Sequence, residues 1–308
     1  MALKFFTFSC LVILIILFYV VNFQFKTKCS TGQFRLYNGC YSYLDCNDVK
    51  QMNPIRILAR GTVKNVWLVE WNHQPLVMST LTMSVYKEDF QANVENLLRF
   101  RMNKNPFIIE LIGNCGQSIF TPYYPLGDMN NLRRILAIRK SNFNNRLLYC
   151  IEYVKILQFL HQNSMVMCDS NDLTKTLSQY LITDNDDDDD RLIIMNDLDA
   201  LPNTNHGPIK CGHRPIVGDF VAPEQRYPNT YDDGYDHKTD IWKVPDVCHW
   251  IIKDDVNDDD QLRKLKITLF QQRLLDWIHQ KCKSPKSIER PEAMEIVKFY
   301  KFILSLSK

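Results

Sequence analysis

The order of two hydrophobic patterns along the chain is the feature that most restricts its fold. In the first half, short β-branched or aromatic runs such as residues 66–69 are separated by turn residues such as Gly61. This pattern predicts a small antiparallel sheet. Later the spacing becomes helical, and residues 145–161 place apolar side chains three or four positions apart. We therefore predict an α+β fold, with a β-rich lobe at about 51–127 and a mainly helical lobe at about 128–308.

Charge and composition exclude some partners. The chain has 308 residues, of which 45% are hydrophobic, so it can bury a full-sized core. Its 37 basic and 35 acidic residues leave a net charge of +2, which does not indicate a nucleic acid partner. The acidic runs at 184–190 and 254–260 are interpreted as solvated loops.

An uncharged apolar segment occupies residues 5–25, between Lys4 and Lys26. It is long enough to cross a bilayer as a helix. A cleaved signal peptide is the competing interpretation, but the run is long for one and no small-x-small cleavage site follows it. We predict a transmembrane signal-anchor here, preceded by a short tail at 1–4 and followed by a stem at 26–50. The flanking charges do not settle its orientation.

Three of the ten cysteines, Cys29, Cys40 and Cys46, lie close together just after this segment. Clustered cysteines beside a secretory-type segment favour disulfides and an oxidising lumen. Their spacing is not that of a zinc site. Because three is odd, at least one of them pairs elsewhere or stays free.

Three short motifs follow one another in the second half of the chain. They read Val-Ala-Pro-Glu at 221–224, Asp-Ile-Trp at 240–242 and Glu-Arg-Pro at 289–291. Their order resembles the large lobe of protein kinases, so the resemblance implies a bilobal protein-kinase fold. In that family the Glu and the Arg of the outer motifs form a buried ion pair. The resemblance thus implies structural roles for Glu224, Asp240 and Arg290.

The catalytic loop is located by counting. In kinases a Tyr-Leu-His ends the long helix, and the catalytic Asp follows eight residues after the His; here Phe-Leu-His ends at His161, and Asp169 stands at that spacing. Phosphoryl transfer needs a carboxylate within hydrogen-bond reach of the attacking hydroxyl. Asp169 is the predicted base, and Asp172 is the reserve candidate.

A predicted strand at 192–196 leads into the position of the kinase Asp-Phe-Gly motif. Asp197 is the predicted carboxylate for Mg²⁺ (or Mn²⁺), which neutralises charge on the phosphates of ATP. Asp199 replaces the glycine and adds a second candidate ligand. Thr174 stands where kinases have a metal-binding Asn, and Gln179 is the candidate substitute.

The lysine that binds phosphate in kinases is missing from its usual strand. Residues 76–79 read Leu-Val-Met-Ser where Val-Ala-Ile-Lys is expected. The glycine-rich loop keeps Gly61 and carries Lys64 where its third glycine belongs, as in the with-no-lysine kinases. Lys64 is predicted to reach the phosphates from the roof of the cleft, with Asp89 or Glu95 as its acidic partner. The alternative is a solvated strand residue in an inactive kinase.

Longer runs around these motifs resemble one family much more specifically. They are residues 167–173, 175–181, 196–202, 210–214, 218–225 and 240–243. These runs closely resemble the protein O-mannose kinase family, and the resemblance extends from near Cys29 to the end of the chain.

The resemblance implies a single-pass type II protein of the endoplasmic reticulum membrane with a lumenal catalytic domain. It also implies ATP and a divalent metal as cofactors. The implied acceptor is the 6-hydroxyl of mannose in a GalNAc, GlcNAc and mannose trisaccharide on α-dystroglycan, in support of laminin-binding glycan assembly. His213, Arg214 and Asp219 are candidates for the acceptor side of the site.

Three features depart from the family pattern. The glycine-rich loop has Ala59 and Arg60 where the family has Gly-Glu, an Asp-rich insertion follows Thr183, and the interval 229–235 is shortened. A lost glycine restricts how closely the backbone approaches the phosphates. The leading alternative is therefore a catalytically inactive pseudokinase scaffold of the secretory pathway. A cytosolic Ser/Thr kinase is disfavoured by the anchor and the cysteines.

Overall fold

The structure is a computed structural model that describes residues 29–36, 39–101, 105–183, 191–212, 216–226, 234–253 and 267–306. The strands are β1 (Gln33–Leu36), β2 (Gly39–Ser42), β3 (Asn53–Arg60), β4 (Lys64–Trp71), β5 (Gln74–Leu81), β6 (Gly113–Cys115), β7 (Ser118–Pro122), β8 (Tyr180–Ile182) and β9 (Ile193–Met195). The helices are α1 (Cys46–Val49), α2 (Lys87–Arg101), α3 (Leu132–Ile138), α4 (Phe143–Gln162), α5 (Leu173–Ser178), α6 (Lys238–Ile252), α7 (Leu269–Cys282) and α8 (Ala293–Ser305).

The small lobe is built on a five-stranded antiparallel sheet in the order β3-β4-β5-β7-β6. Asn72 and His73 join β4 to β5 and both have positive φ, of 49° and 58°. Two such residues in succession form the tight turn whose twist matches a hairpin. The edge strand β3 is bulged at two places, between Pro54 and Arg56 and again just before Ala59. Bulges bend an edge strand, and the second of them lies beside the glycine-rich loop.

Residues 29–36 and 39–52 pack onto the outside of this sheet. Phe34 and Leu44 are buried in one apolar cluster with Trp71 and Phe120 of the sheet. Gly113 permits this contact, because a Cβ there would lie 2.6 Å from Leu44. Two disulfides, Cys29–Cys40 and Cys46–Cys115, close this region. The odd cysteine of the clustered trio thus pairs with a partner on β6.

The large lobe is organised around α4. This helix of 20 residues is buried on most of its surface, since its apolar side chains are not confined to one stripe. A helix that is apolar all round belongs in a core. It packs against α6 and α8, and the buried Arg146 donates to the carbonyl oxygen of Ile251 at the end of α6 over 3.0 Å.

The α+β organisation and the kinase-like arrangement of a sheet-rich region before a helical region are present. One part of the fold-class prediction is corrected. Among the residues that the structure describes, no helix combines the length and the apolar character needed to cross a membrane. The predicted anchor at 5–25 and the tail at 1–4 lie outside those residues. The predicted lobe limits, 51–127 and 128–308, stay predictions.

Candidate active site

Three aspartates meet at the junction of the two lobes. Asp169 lies in the loop between α4 and α5, and Asp197 and Asp199 follow β9. Carboxylate oxygens of all three lie within 4.8 Å of one another. β9 is fixed from two sides, because it pairs with β8 and because Met195 exchanges backbone hydrogen bonds with the segment of Phe107 to Ile109. The fold therefore brings together carboxylates from two separate segments.

Lys64 reaches this cluster from the opposite lobe. It is the first residue of β4, and its side chain is only 12% exposed. Its Nζ lies 2.5 Å from Oδ1 of Asp197 and 3.5 Å from Oδ2 of Asp199. Burial alone would lower the pKa of Lys64, but the two carboxylates outweigh it and raise the pKa above its ordinary value. Lys64 is thus a buried cation directed at the predicted metal carboxylates.

The pKa values of Asp197 and Asp199 are shifted in opposite directions. Burial would raise the pKa of Asp197, but Lys64 and then Lys175 hold it below its usual range. Burial followed by repulsion from Asp197 raises the pKa of Asp199 to about 7, although Lys64 opposes the shift. A raised carboxyl pKa next to a second carboxylate is the expected result of like charges in one site.

The donor set fits a divalent cation. Three carboxylates and the two ammonium groups of Lys64 and Lys175 leave one net negative charge when all are ionised. Carboxylate oxygens are the hard ligands that Mg²⁺ prefers. Asp197 and Asp199 are the residues that would hold the ion beside the phosphates of ATP. Gln179, the third predicted ligand, is buried, and its Nε2 lies 3.4 Å from Oδ2 of Asp169.

Asp169 has a partner that the sequence did not indicate. Lys175 of α5 places its Nζ 2.6 Å from Oδ2 of Asp169. Burial would lower the pKa of Lys175, but Asp169, with Asp197 and Asp199 behind it, raises it. The only sequence signal was a lysine one helical turn beyond the loop, where its direction depends on the tertiary fold. Lys175 is therefore a charged component of the site beside Lys64.

Asp172, the reserve base, has a different place. Its side chain accepts from the backbone N–H of Lys175 over 2.8 Å and caps the N-terminus of α5. Asp, Asn, Ser and Thr are the preferred residues for this role. The structure thus puts Asp169 among the three clustered carboxylates and gives Asp172 a capping role.

Buried contacts from α6 hold the loop that carries Asp169. Oδ2 of Asp240, which is 1% exposed, accepts from the backbone N–H of Met167 over 3.2 Å. Nζ of Lys243 donates to Oγ of Ser170 over 2.5 Å. A third tie is covalent, since the disulfide Cys168–Cys211 joins the residue before Asp169 to the segment that leads to the Val-Ala-Pro-Glu motif. These contacts fix the position of Asp169 from both sides.

The acidic partner predicted for Lys64 is corrected. Asp89 and Glu95 are both exposed on α2, while the ion pairs of Lys64 go to Asp197 and Asp199. The inner face of α2 instead presents Asn93 and Asn96, which accept from and donate to the backbone of Leu198 over 3.0 and 2.9 Å. The buried Asn93, between Phe90 and Leu97 on the apolar face, was the available sequence signal.

The glycine-rich loop is a tight, anchored hairpin. The N–H of Gly61 donates to the carbonyl oxygen of Lys64 over 2.9 Å, and a Cβ at Gly61 would lie 3.1 Å from that oxygen. The backbone of Thr82, beyond β5, donates to the carbonyl oxygen of Val63 over 2.9 Å. Ala59 lies on β3 beside the hairpin. The hairpin therefore holds the backbone of Lys64 in place without the first family glycine.

Of the three acceptor-side candidates, His213 and Arg214 lie outside the described residues. Asp219 is exposed, and its Oδ1 lies 3.0 Å from Nη1 of Arg226. It borders an open cavity of about 370 Å³. The cavity is lined by Arg133, Leu173, Asp219, Phe220, Asp246, His249 and Trp250. Leu173 is the first residue of α5, so the cavity adjoins the helix that follows the Asp169 loop.

The outer motifs form the ion pair that the kinase resemblance implies. Nη1 and Nη2 of Arg290 lie 2.5 and 2.8 Å from Oε1 and Oε2 of Glu224. Arg290 is 2% exposed, and it also donates to the carbonyl oxygen of Lys238. This two-pronged contact ties the end of the activation segment to the loop before α8.

Comparison with known proteins agrees with the kinase-like arrangement of these motifs. No protein-family model matches the chain. The chain is 38% identical over 301 residues to a protein O-mannose kinase of Gallus gallus, an alignment covering 90% of this chain and 80% of that relative. Proteins of the same name from Macaca fascicularis and Homo sapiens are each 36% identical, over 90% of this chain and 80% and 81% of their own lengths. The likeness and the carboxylate site identify an ATP-dependent kinase, and the chain belongs to the protein O-mannose kinase family.

Proposed function

We propose that this protein transfers the terminal phosphate of ATP to the 6-hydroxyl of the mannose in a GalNAc, GlcNAc and mannose trisaccharide on α-dystroglycan. In this role it would support assembly of the laminin-binding glycan. The observation that carries the proposal is the convergence of Lys64 with Asp169, Asp197 and Asp199 in a chain whose relatives are named protein O-mannose kinase.

The position of each site residue determines its role in phosphate transfer. Asp169 orients the sugar hydroxyl and accepts its proton, because it is the carboxylate on the loop held rigidly by α6. Lys64 binds phosphate oxygens from the roof of the cleft. Asp197 and Asp199 hold a divalent cation, which supplies charge neutralisation at the phosphates when bound.

The cavity beside α5 supports an acceptor that is larger than one hydroxyl group. The guanidinium of Arg133 lies 4.9 Å from the centre of the Trp250 ring at its wall. Carboxylates of Asp219 and Asp246 lie at the same cavity. Because the guanidinium covers one face of the Trp250 ring, the charged and polar groups of the lining, rather than an open aromatic face, are what suit the hydroxyl groups of a sugar. We place the outer sugars of the acceptor here.

The inactive-scaffold alternative has less support. Its basis is the change to Ala59 and Arg60, but the hairpin at Gly61 remains closed and Lys64 remains directed at Asp197. A scaffold would not need two lysines paired with three clustered aspartates.

Phosphate transfer to the synthetic trisaccharide tests the proposal. The purified protein is incubated with ATP and Mg²⁺, and product is measured by mass. A matched trisaccharide with 6-deoxymannose is the control, since it lacks only the attacked hydroxyl. We expect product from the first acceptor and none from the second or from Asp169→Asn. Equal amounts of phosphorylated product from both acceptors would contradict the proposal. So would the absence of any phosphorylated product with the wild-type protein.

We also propose that the kinase domain works in the lumen of the endoplasmic reticulum. Three disulfides among the described residues support an oxidising compartment, because cytosolic proteins rarely keep them. An engineered glycosylation acceptor near the exposed Thr31 should be modified in microsomes. An unmodified acceptor on a domain open to protease from the cytosolic side would rule the lumenal location out.

A further inference from the structure

Tyr43 joins the segment that precedes the five-stranded sheet to the end of α2. It follows β2, and the guanidinium of Arg101, the last residue of α2, lies 4.1 Å from the centre of its ring. The charge distribution of a tyrosine ring attracts a cation in this position. The hydroxyl of Tyr43 donates to Oε1 of Glu110 over 3.4 Å. Burial, and then Glu110, raise the pKa of Tyr43 although Arg101 opposes the shift, so the hydroxyl keeps the proton that it donates.

The residues that follow Tyr43 fix its position. The backbone N–H of Leu44 donates to the carbonyl oxygen of Ile112 over 2.8 Å, and the side chain of Leu44 is buried. Two positions later, Cys46 is bonded to Cys115 on β6. A backbone hydrogen bond and a covalent bond therefore hold this part of the chain on the sheet, and they keep Tyr43 beside the end of α2.

The inner face of α2 contacts the carboxylate cluster through one residue. Asn93 accepts from the backbone N–H of Leu198 over 3.0 Å, and Asn96 donates to the carbonyl oxygen of Leu198 over 2.9 Å. Leu198 stands between Asp197 and Asp199 in the chain. The helix thus holds, by both of its backbone polar groups, the residue that joins the two predicted metal carboxylates.

The usual connection between this helix and the cleft is replaced. In protein kinases a lysine of the small lobe pairs with a glutamate on the corresponding helix. Here the ion pairs of Lys64 go to the two aspartates after β9. Arg101 lies five residues after Asn96, which is about 7.5 Å along the helix axis. Because a helix is rigid over this distance, a displacement of Arg101 is carried to Asn96.

We propose that Tyr43 and Arg101 are positioning residues, which hold α2 where its two asparagines keep Asp197 and Asp199 arranged for a divalent cation bound with nucleotide. The proposal rests on the kinase function proposed above and gives a part in it to the segment that precedes the sheet. Loss of the contact leaves both carboxylates in the chain but loosens their arrangement. The affinity for the cation then falls, and kcat falls with it, because the groups behind metal ligands set how well those ligands are oriented.

The experiment compares Tyr43→Ala with Tyr43→Phe, which keeps the ring beside Arg101, and with Tyr41→Ala as the matched control. Tyr41 lies two positions earlier, on β2, and its ring packs on Trp71 at 5.3 Å while its hydroxyl accepts from Gln74. These contacts are with the hairpin of β4 and β5. The affinity for ADP is measured by calorimetry with and without Mg²⁺, so the gain in affinity from Mg²⁺ reports the metal site without an acceptor. Values of kcat for the trisaccharide and thermal unfolding are measured on the same proteins.

For Tyr43→Ala we expect kcat and the gain in ADP affinity from Mg²⁺ each to fall about threefold to tenfold, the scale on which residues remote from a ligand act. Tyr43→Phe should keep most of both quantities, because the contact with the guanidinium remains. Tyr41→Ala should lower the unfolding temperature and change neither quantity. Where Tyr43→Ala does not fold, Arg101→Gln removes the same contact from a half-buried position on α2 and should give the same losses.

A combined variant with Asn96→Ala tests the route through α2. Asn96→Ala should itself reduce the gain from Mg²⁺, and adding Tyr43→Ala should lower it little further, because both changes break one connection. Losses that multiply in full would overturn the proposal. So would a wild-type gain in Tyr43→Ala, or an equal loss in Tyr41→Ala. If the wild-type protein does not phosphorylate the trisaccharide, the proposed acceptor is wrong, while ADP binding still decides the role of Tyr43.

Discussion

Lys64 and Asp197 form an ion pair of 2.5 Å although they are 133 positions apart in the chain. The pair joins the first residue of β4 to the segment after β9, and so it links the two lobes across the cleft. The usual lysine position on β5 is occupied by the buried Ser79. Lys64 thereby supplies, from the neighbouring strand, the positive charge that β5 lacks.

Replacing Lys64 by Met should abolish most transfer while the protein stays folded. The loss of one preorganised charge contact to the phosphates should cost about two to three orders of magnitude in kcat. Transfer to the acceptor is measured beside circular dichroism and thermal unfolding, which report the fold.

The double variant Lys64→Met with Ser79→Lys is the control for position. A lysine on β5 alone should not restore activity, because the hairpin at Gly61 is built to present position 64. Near-normal activity of Lys64→Met would show that Lys64 is only a structural partner of Asp197.

The two carboxylates of the catalytic loop should respond differently to amidation. Asp169→Asn removes the proton acceptor and should eliminate nearly all activity with little change in thermal stability. Asp172→Asn should leave most activity and stability, because Asn caps a helix about as well as Asp. Rates and melting temperatures of both variants are compared. If Asp172→Asn were the more severe change in a folded protein, the base assignment would be wrong.

Sequence spacing selected Asp169 and Asp197, which the structure brings together in the carboxylate cluster, while their catalytic and metal-binding roles stay predictions. The count from His161 placed Asp169, and the strand at 192–196 placed Asp197, because loop lengths between fixed elements are short and restricted. The order of strands followed by helices could be predicted for the same reason. The spacing of hydrophobic residues along the chain depends on the local secondary structure and not on distant contacts. These features need no knowledge of distant contacts.

The features of the site that could not be predicted from the sequence depend on packing between distant elements. Asp89 and Glu95 were sensible partners for Lys64, but the rotation of α2 about its axis turns Asn93 toward the site and those carboxylates toward solvent. Lys175 was missed for a related reason, because the direction of a long side chain depends on where its helix sits. The pairing of Cys46 with a cysteine 69 positions later likewise follows from the tertiary fold.

Removing the disulfide Cys168–Cys211 should loosen the site and lower stability. Its half-cystines are 43 positions apart, and closing a loop of this length stabilises a protein by roughly 2 to 4 kcal/mol. The double variant Cys168→Ser with Cys211→Ser leaves no unpaired cysteine from this bond. We expect lower unfolding free energy in urea and a lower kcat, because Asp169 directly follows Cys168.

The double variant of Cys29 and Cys40 is its control, since that disulfide lies on the outer face of the small lobe. It should lower stability without a comparable loss of kcat in the fraction that remains folded. An equal loss of kcat in both double variants would show that the Cys168–Cys211 bond has no special role at the site.

His279 should make the folded protein less stable in mild acid. Its ring lies 2.7 Å from the hydroxyl of Tyr300, and burial, with His249 and Lys283 nearby, lowers its pKa to about 3. In the unfolded chain the ordinary value is 6.5. Between these values the unfolded chain binds a proton that the folded protein does not, so the free energy of unfolding falls as the pH falls. The slope contributed by this group should be about 1 kcal/mol per pH unit at its steepest.

Urea unfolding of the wild type and of His279→Gln at several pH values between about 5 and 8 measures this contribution. Glutamine keeps a polar group near Tyr300 but does not titrate in this range. The difference in unfolding free energy between the two proteins should stay constant above neutrality and shift in favour of His279→Gln as the pH falls below the ordinary histidine pKa. A difference that is the same at every pH would mean that His279 titrates alike in the folded and unfolded states, and the lowered pKa would be wrong.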